Sequence, residues 1–229
     1  METIDLVVIG SGLFGLAMAK TYHQFHPTLS LAIFDKASTI GGVWAEERLY
    51  EGLRTNNLKG TYEYLDYPML PEQFGVREGE YMTGAVMHKY LTSYAEAFDI
   101  RDKIRLRHAV LEAEHQEGVD GGWVLTVECP GGERKRVFAR KMVMATGLTS
   151  EAFLPDFKGQ EEFGALLFHG KEFKKYGATL ESAKVVTVLG GTKSAWDAVY
   201  AYASKGVKVN WVIRGQSLAE VWDLARKSC

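Results

Sequence analysis

Three glycines near the N-terminus have a spacing that could bring the backbone close to a phosphate. Gly10, Gly12 and Gly15 lie in the stretch VVIGSGLFGLAMA at G-x-G-x-x-G spacing. Between a strand and a helix, the first glycine allows a tight turn, the second lets a pyrophosphate approach, and the third lets the helix pack closely. The N-terminus of that helix presents free N–H groups and a partial positive charge. The alternative is a glycine turn that binds no ligand.

An acidic residue at the expected distance favours the dinucleotide interpretation. Asp35 follows Gly15 by twenty residues and ends the predicted strand LSLAIFD. A carboxylate at this point would accept hydrogen bonds from the ribose hydroxyls of an adenosine. The apolar run TIDLVVIG predicts a buried parallel strand before the loop, and GLFGLAMAKTYHQF predicts a helix after it. Strand, loop, helix and strand therefore follow one another as a dinucleotide-binding unit requires.

The composition excludes several classes of protein. The 229 residues are 46% apolar, which predicts a folded chain of one large or two small domains. A net charge of −2 argues against a general nucleic-acid binder. Two cysteines are too few for a disulfide framework and suit a reducing compartment. Because no apolar run is long enough to span a membrane and no signal peptide is recognisable, we expect a cytoplasmic protein.

The rest of the chain alternates between strands and helices. Residues 41–84 are rich in Gly, Tyr and Pro and predict an irregular segment, and residues 84–99 predict a helix. Three strands over about 104–139 predict an antiparallel meander. The stretch AKVVTVLGGTKSAWDAVYAYASKGVKVNWVIR predicts a second strand–loop–helix–strand unit, and the tail SLAEVWDLARKSC a helix capped by Ser217 with Glu220. The predicted fold class is α/β, with a Rossmann-like domain and a partial second Rossmann-like βαβ unit.

Several short motifs in a fixed order resemble one enzyme family. They are GSGLFG at 10–15, FDK at 34–36, GGVW at 41–44, LRTN at 53–56, LDYPM at 65–69, ATG at 145–147 and a second glycine loop from 190. Together they resemble the class B flavoprotein monooxygenases, which include the flavin-containing and the Baeyer–Villiger monooxygenases. The resemblance extends to about Arg214. It implies an FAD-binding domain at 1–175 and a partial NADPH-binding unit at 176–229.

The resemblance also implies which residues bind FAD. It assigns them to the first glycine loop, the end of the second strand, the GGVW and LRTN motifs and the end of the meander: Gly10, Gly12, Leu13, Phe14, Gly15, Asp35, Lys36, Gly41, Gly42, Val43, Trp44, Thr55, Asn56, Val110, Ala145, Thr146 and Gly147. Asn56 is the candidate catalytic residue, because its amide could hydrogen-bond a flavin peroxide or the nicotinamide. Alternatives are a Gly-Gly turn before a core tryptophan, and an Asx-turn at Asn56.

For NADPH, the resemblance assigns Gly190, Thr192, Lys193, Ser194 and Arg214. The family pattern is G-x-G-x-S-A, and threonine stands here at the second glycine position, where its side chain would crowd a pyrophosphate. The arginine ends the following strand, where NADP enzymes carry a partner for the 2′-phosphate. The alternative is a solvated charge at the end of a strand.

A second family pattern, F-x-G-x-x-x-H-x-x-x-F/Y/W, is matched in part. Phe163, His169 and Phe173 have the required spacing, but Ala165 replaces the glycine. The resemblance implies that His169 organises a linker between domains. An ordinary polar contact is the alternative.

The function implied is that of an FAD-binding, NADPH-linked monooxygenase acting on a small organic molecule with O₂. Oxygenation at N or S and Baeyer–Villiger insertion both remain open. The family's chains are longer, so we expect a truncated chain or one whose site is completed by a protein partner or a homo-oligomer. A non-oxidative binding protein or an isomerase or cyclase on the same fold is the alternative.

Overall fold

The computed structural model describes residues 1–118, 121–148 and 151–215. The described strands are β1 (Glu2–Ile9), β2 (Leu31–Asp35), β3 (Arg54–Leu58), β4 (Tyr81–Thr83), β5 (Ile104–Leu106), β6 (Ala109–Gln116), β7 (Gly122–Glu128), β8 (Arg134–Met144), β9 (Val185–Leu189) and β10 (Lys208–Val212). The described helices are α1 (Leu13–Phe25), α2 (Pro71–Phe74), α3 (Gly84–Ala97), α4 (Thr179–Ser182) and α5 (Lys193–Ser204). The helix predicted for the tail lies outside the described residues.

The chain divides into two compact units by its internal contacts. The described part of the first unit consists of residues 1–49 and 57–148, and that of the second of residues 50–56 and 151–215. The sequence-based boundary at 175 differs from this division over residues 50–56 and 151–175. Tyr50, Phe168 and Phe173 explain the difference, because all three belong to the apolar cluster of the second unit.

The described residues of the first unit contain a six-stranded mixed sheet in the order β5-β2-β1-β8-β7-β6. β1 pairs in parallel with β2 on one side and with β8 on the other, so that Val7 lies opposite Ala32 and Met142. β7 pairs antiparallel with β6 and with β8, which is the predicted meander. The parallel strands place their carboxyl ends at one edge, where the glycine loop follows β1.

The stretch IRLRHAVLEAEHQ, predicted as one strand of the meander, is two strands. β5 pairs in parallel with β2, whereas β6 pairs antiparallel with β7. Arg107 separates them with a positive φ of 57°, in the left-handed region. The N–H groups of Arg107 and His108 donate to the carbonyls of Ala37 and Asp35, at 2.9 Å each. These bonds hold the turn against the end of β2.

The parallel strands and the meander share one apolar core. Ala32 and Phe34 of β2 lie in the same buried cluster as Leu125, Val127 and Val137 of the meander. Helix α1 buries residues at helical spacing, namely Gly15, Leu16, Ala19 and Tyr22. Helix α3 begins after Thr83, whose Oγ1 accepts a hydrogen bond from the N–H of Val86 at 3.3 Å.

The second unit contains the second predicted strand–loop–helix–strand motif. β9 and β10 are parallel, with Val186 opposite Val209, and α5 connects them. The buried residues of this unit include Phe173, Leu180 and Tyr202. The predicted α/β class is therefore confirmed for both units.

No helix among the described residues is long and apolar enough to cross a membrane. The same residues contain no group of three or more His, Cys, Asp or Glu side chains that could hold a metal ion.

Candidate functional site

Gly10 occupies a position that only glycine can fill. Its φ is +107°, and an added Cβ would lie 2.5 Å from the carbonyl oxygen of Ala145. Its N–H donates to the carbonyl of Phe34 at 2.8 Å. A Cβ on Gly15 would lie 1.9 Å from the carbonyl oxygen of Gly10. The first and third glycines therefore let the ends of β1, β2 and β8 and the start of α1 come together.

Gly12 differs, because none of the described residues requires a glycine there. Its φ is −81°, which any residue adopts, and an added Cβ would make only an ordinary contact, 3.6 Å from Cα of Gly42. A Cβ on Gly42 would in turn lie 3.1 Å from Cα of Gly12. Two glycines without side chains thus face each other before the N-terminus of α1. We call these facing residues, together with Gly10 and Gly41, the glycine cradle.

Asp35 lies at the end of β2, as predicted, but its carboxylate already accepts hydrogen bonds from other residues of the protein. Its Oδ2 accepts hydrogen bonds from the N–H of Ser11 at 2.7 Å and from the Ser11 hydroxyl at 2.6 Å. Its Oδ1 accepts one from the N–H of Ala37 at 2.9 Å. Since a carboxylate offers about four acceptor positions, the fourth lies on Oδ1. The sequence analysis missed Ser11, although it lies inside the glycine motif.

The GGVW segment closes the other side of the cradle. Gly41 has a φ of +127°, its N–H donates to the carbonyl of Ser11 at 3.1 Å, and an added Cβ would lie 2.9 Å from the carbonyl of Trp44. Trp44 is 8% exposed, and its indole Nε1 has no hydrogen-bond partner among the described residues. Leaving a buried donor unpaired costs about 1–3 kcal/mol. Val43, in contrast, is exposed.

Two polar side chains that the sequence analysis missed hold the chain around this segment. His88 of α3 lies with Nδ1 3.1 Å from the carbonyl of Ile40, and so donates to it when Nδ1 is protonated. The carboxylate of Glu47 accepts from the N–H of Ser38 and from the hydroxyl of Thr39, at 2.6 Å each. Burial acts to raise the pKa of Glu47, but these hydrogen bonds outweigh it and lower the pKa to about 2.

The remaining predicted residues of the first unit lie at the ends of its strands and helix. The N–H of Ala145 donates to the carbonyl of Ile9 at 2.9 Å, which continues the pairing of β8 with β1. Thr146 and Gly147 follow this strand and are exposed.

Leu13 and Phe14 form the first turn of α1, with Phe14 82% exposed. Lys36 is exposed after β2, and Val110 lies beside an irregularity of β6 and packs on the core.

Thr55 and Asn56 belong to the second unit by contacts. Thr55 is buried, with 4% of its surface exposed, whereas Asn56 is exposed. The amide of the candidate catalytic residue is therefore open to solvent in its own unit.

The second glycine loop is held by the strand that follows it. Gly190 has a φ of +126°, and its N–H donates to the carbonyl of Val212 at 2.9 Å. Its carbonyl accepts a hydrogen bond from the indole Nε1 of Trp211 at 2.7 Å. Arg214 is exposed two residues after β10. The loop and this arginine therefore lie at the same carboxyl edge of the two parallel strands.

The start of α5 differs from the expected pattern. Thr192 precedes the helix, exposed, and its side chain makes no capping bond. Ser194 is exposed. Lys193, expected to contact a cofactor, forms a salt bridge with Asp197, which also accepts a hydrogen bond from the Tyr50 hydroxyl at 2.6 Å. This anionic partner partly neutralises the charge of the lysine.

His169 makes a local contact in the second unit. Its Nδ1 accepts from the N–H of Lys171 at 3.1 Å and so caps the short helical turn Gly170–Glu172. Phe173, four residues on, is buried in that unit's core.

The fold and the two glycine loops are those of the Rossmann-like α/β class. Within that class, the family described as flavin-binding monooxygenase-like (FMO-like) matches residues 4–222, and the chain belongs to this family. The recognition made from the motifs is thereby confirmed.

Curated relatives include fungal enzymes. The chain is 39% identical to an FAD-dependent monooxygenase of Pyrenophora dematioidea, over 92% of this chain and 39% of the relative. It is 34% identical to one of Alternaria brassicicola, over 93% of this chain and 36% of the relative. The chain therefore spans less than two-fifths of the length of these relatives.

Solved structures of monooxygenases are similar to this chain, in agreement with the family match. A cyclohexanone monooxygenase from Rhodococcus sp. Phi1 bound to NADP⁺ is 27% identical, with a TM-score of 0.71, over 93% of this chain and 38% of that one. A steroid monooxygenase bound to NADP is 28% identical, with a TM-score of 0.68, over 92% of this chain and 38% of that one.

Proposed function

We propose that this chain is the FAD-binding part of an NADPH-linked flavin monooxygenase. The observation that carries the proposal is the glycine cradle with the unpartnered indole N–H of Trp44 beside it. Within the described part of the chain, no contact requires glycine at position 12, and the buried indole N–H of Trp44 lacks an acceptor. A bound dinucleotide accounts for both features. Membership of the family supports the same assignment.

The pyrophosphate of FAD would lie between Gly12 and Gly42. The first N–H groups of α1, those of Leu13 and Phe14, have no partner within the helix and suit phosphate oxygens. The missing side chains let the phosphates come within hydrogen-bond distance of this backbone. The partial positive charge of the helix end compensates part of the phosphate charge.

The other predicted contacts follow from positions in the first unit. Asp35 retains one acceptor position for a ribose hydroxyl, since Ser11 and Ala37 occupy the others. Val110 would offer its backbone to the adenine. The indole of Trp44 would donate to an acceptor of the cofactor, which removes the cost of leaving it unpaired.

When bound, FAD supplies the redox chemistry by which NADPH and O₂ oxygenate a small organic substrate, at N or S or beside a ketone. The chain's own part is to bind, orient and shield the cofactor. Asn56 would position the reacting groups through its amide, supported by Thr55. Arg214 would pair with the 2′-phosphate of NADPH. Lys193 suits this role less well, because it already forms a salt bridge with Asp197.

The relatives contain more than twice the matched sequence. We propose that turnover also uses the region that corresponds to the rest of the relatives' sequence, and that a protein partner or a homo-oligomer can help to complete the site. The proposed location is the cytoplasm, which the low cysteine content supports.

The test is the flavin content of the purified protein and of Gly12→Val. The wild-type protein should be yellow and release about one FAD per chain on denaturation, as expected for a single dinucleotide site. Gly12→Val should lose the flavin yet remain soluble and folded, because the structure leaves room for a Cβ at this position. A wild-type protein that stays colourless after incubation with FAD contradicts the proposal, and a yellow Gly12→Val protein locates the site elsewhere.

A further inference from the structure

A tyrosine from the irregular segment is hydrogen-bonded to the first residue of the glycine-loop helix. The hydroxyl of Tyr64 donates to the carbonyl oxygen of Leu13 at 2.5 Å. The two residues are 51 positions apart in sequence, and both belong to the first unit. The first N–H groups of α1 lie in the same helical turn.

The backbone and the ring of Tyr64 are held in place by residues of α3. The backbone N–H of Tyr64 donates to the hydroxyl of Tyr90 at 2.8 Å, and that hydroxyl donates to the carbonyl of Tyr67 at 2.6 Å. The Tyr64 ring centroid lies 4.1 Å from that of Tyr94 and 5.9 Å from that of Tyr90. Both partners are buried residues of α3.

The hydroxyl of Tyr64 is protonated at neutral pH. Burial raises the pKa of Tyr64 above its ordinary value, and the neighbouring Tyr94, Tyr90 and Asp66 act in the same direction. The hydroxyl can therefore donate its proton to the carbonyl of Leu13.

We propose that Tyr64 is a positioning residue for phosphate recognition, acting through the peptide group that joins Leu13 to Phe14. The inference rests on the proposed FAD site. The carbonyl of Leu13 and the N–H of Phe14 belong to one peptide group, so a hydrogen bond to the oxygen polarises the N–H and strengthens it as a donor. That N–H is one of those that lack a partner within α1. Tyr64 thereby both fixes and strengthens a donor that faces the phosphates.

A second link makes it possible to remove the hydroxyl without detaching the segment. Lys20 of α1 forms a salt bridge with Asp66. Tyr64→Phe keeps the ring contacts and this link and removes one hydrogen bond. Tyr67→Phe is the matched control, because Tyr67 lies in the same aromatic cluster and its hydroxyl accepts from Nε2 of Gln73 at 3.3 Å.

The experiment titrates wild type, Tyr64→Phe and Tyr67→Phe with FAD, ADP and adenosine. Tyr64→Phe should bind FAD and ADP up to about fivefold more weakly, because polarisation changes the strength of one charge-assisted hydrogen bond by roughly 10–30%, and it should bind adenosine as wild type does. Tyr67→Phe should match wild type for all three. In the flavin-free protein, NMR should show that Tyr64→Phe shifts the carbonyl carbon of Leu13 and the amide nitrogen of Phe14.

The outcomes separate the two proposals. A wild-type protein that binds neither FAD nor ADP overturns the proposed function and the phosphate role with it. If wild type binds FAD and Tyr64→Phe binds it equally well, the role of Tyr64 is overturned while the FAD site stands. Equal weakening for ADP and adenosine, or unchanged NMR shifts at Leu13 and Phe14, also overturns the role of Tyr64.

Discussion

One oxygen of the Asp35 carboxylate accepts both hydrogen bonds that Ser11 donates, from its N–H at 2.7 Å and from its hydroxyl at 2.6 Å. The end of β2 is thereby tied to the turn of the glycine motif. Ser11 is fully buried, whereas Asp35 is half-buried. The acid expected to recognise a ribose thus also shapes the loop that would hold the phosphates.

Ser11→Ala separates these two roles of Asp35. Removing the hydroxyl should lower the free energy of unfolding by about 1 kcal/mol, the net value of one hydrogen bond. It also frees an acceptor position on the carboxylate, so FAD affinity should be retained or improved. Asp35→Ala should lower both stability and FAD affinity. Urea unfolding and flavin titration measure the two quantities, and an Asp35→Ala protein that binds FAD normally contradicts the ribose contact.

Gly10→Ala and Gly12→Ala should have opposite consequences. At Gly10 a Cβ meets the carbonyl of Ala145 at 2.5 Å in a backbone with positive φ, so Gly10→Ala should destabilise the protein by about 2 kcal/mol or more. At Gly12 the cost to stability should stay below about 1 kcal/mol, because surface substitutions without strain or collision have small effects, but FAD binding should weaken. Thermal unfolding without flavin and FAD titration distinguish them. Equal destabilisation by both variants would contradict the geometry described for Gly12.

Glu47 should make the protein lose stability in acid. Its carboxylate has a pKa of about 2 in the folded protein and an ordinary value near 4.3 when unfolded. A folded pKa below the unfolded one stabilises the protein above the unfolded value, and this contribution is lost as the pH falls through 4 towards 2.

The measurement compares wild type with Glu47→Gln in urea unfolding from pH 6 to pH 3. The difference in unfolding free energy should be constant down to about pH 5 and shrink below it, as linkage requires. Thr39→Val removes one hydrogen bond to Glu47. Its unfolding free energy should differ from that of wild type with a weaker dependence on pH than that of Glu47→Gln. A difference that does not vary with pH contradicts the assignment.

Arg214→Ala should remove the preference for NADPH over NADH. The guanidinium lies exposed at the carboxyl edge of β9 and β10, and its loss removes the proposed partner of the 2′-phosphate. Binding of NADPH should be weak in the parent because Thr192 stands at the second glycine position. Lys193→Ala is the control and should change the preference less, since Lys193 is paired with Asp197. Tighter binding of NADH than of NADPH by the parent protein would overturn this prediction.

The sequence by itself determined the first two parallel strands, the glycine loops and the helices that follow these loops. These features are local: apolar runs, helical periodicity and the backbone freedom of Gly10 and Gly41 can be recognised within a few residues. The end of β2 at Asp35 follows in the same way. The single strand predicted over 104–116 was wrong, because the left-handed turn at Arg107 depends on bonds to Ala37 and Asp35.

Only the tertiary structure decided how the site is built around these elements. The unpaired indole of Trp44, the shared carboxylate of Asp35 and the bond from Tyr64 to Leu13 join residues that are distant in sequence or depend on their surroundings. The segment over 41–84 has no periodicity from which its path could be predicted. Its course around Tyr64 and Tyr67 is set by packing of these two rings on α3 and by single hydrogen bonds. Such contacts exist only once the unit has folded.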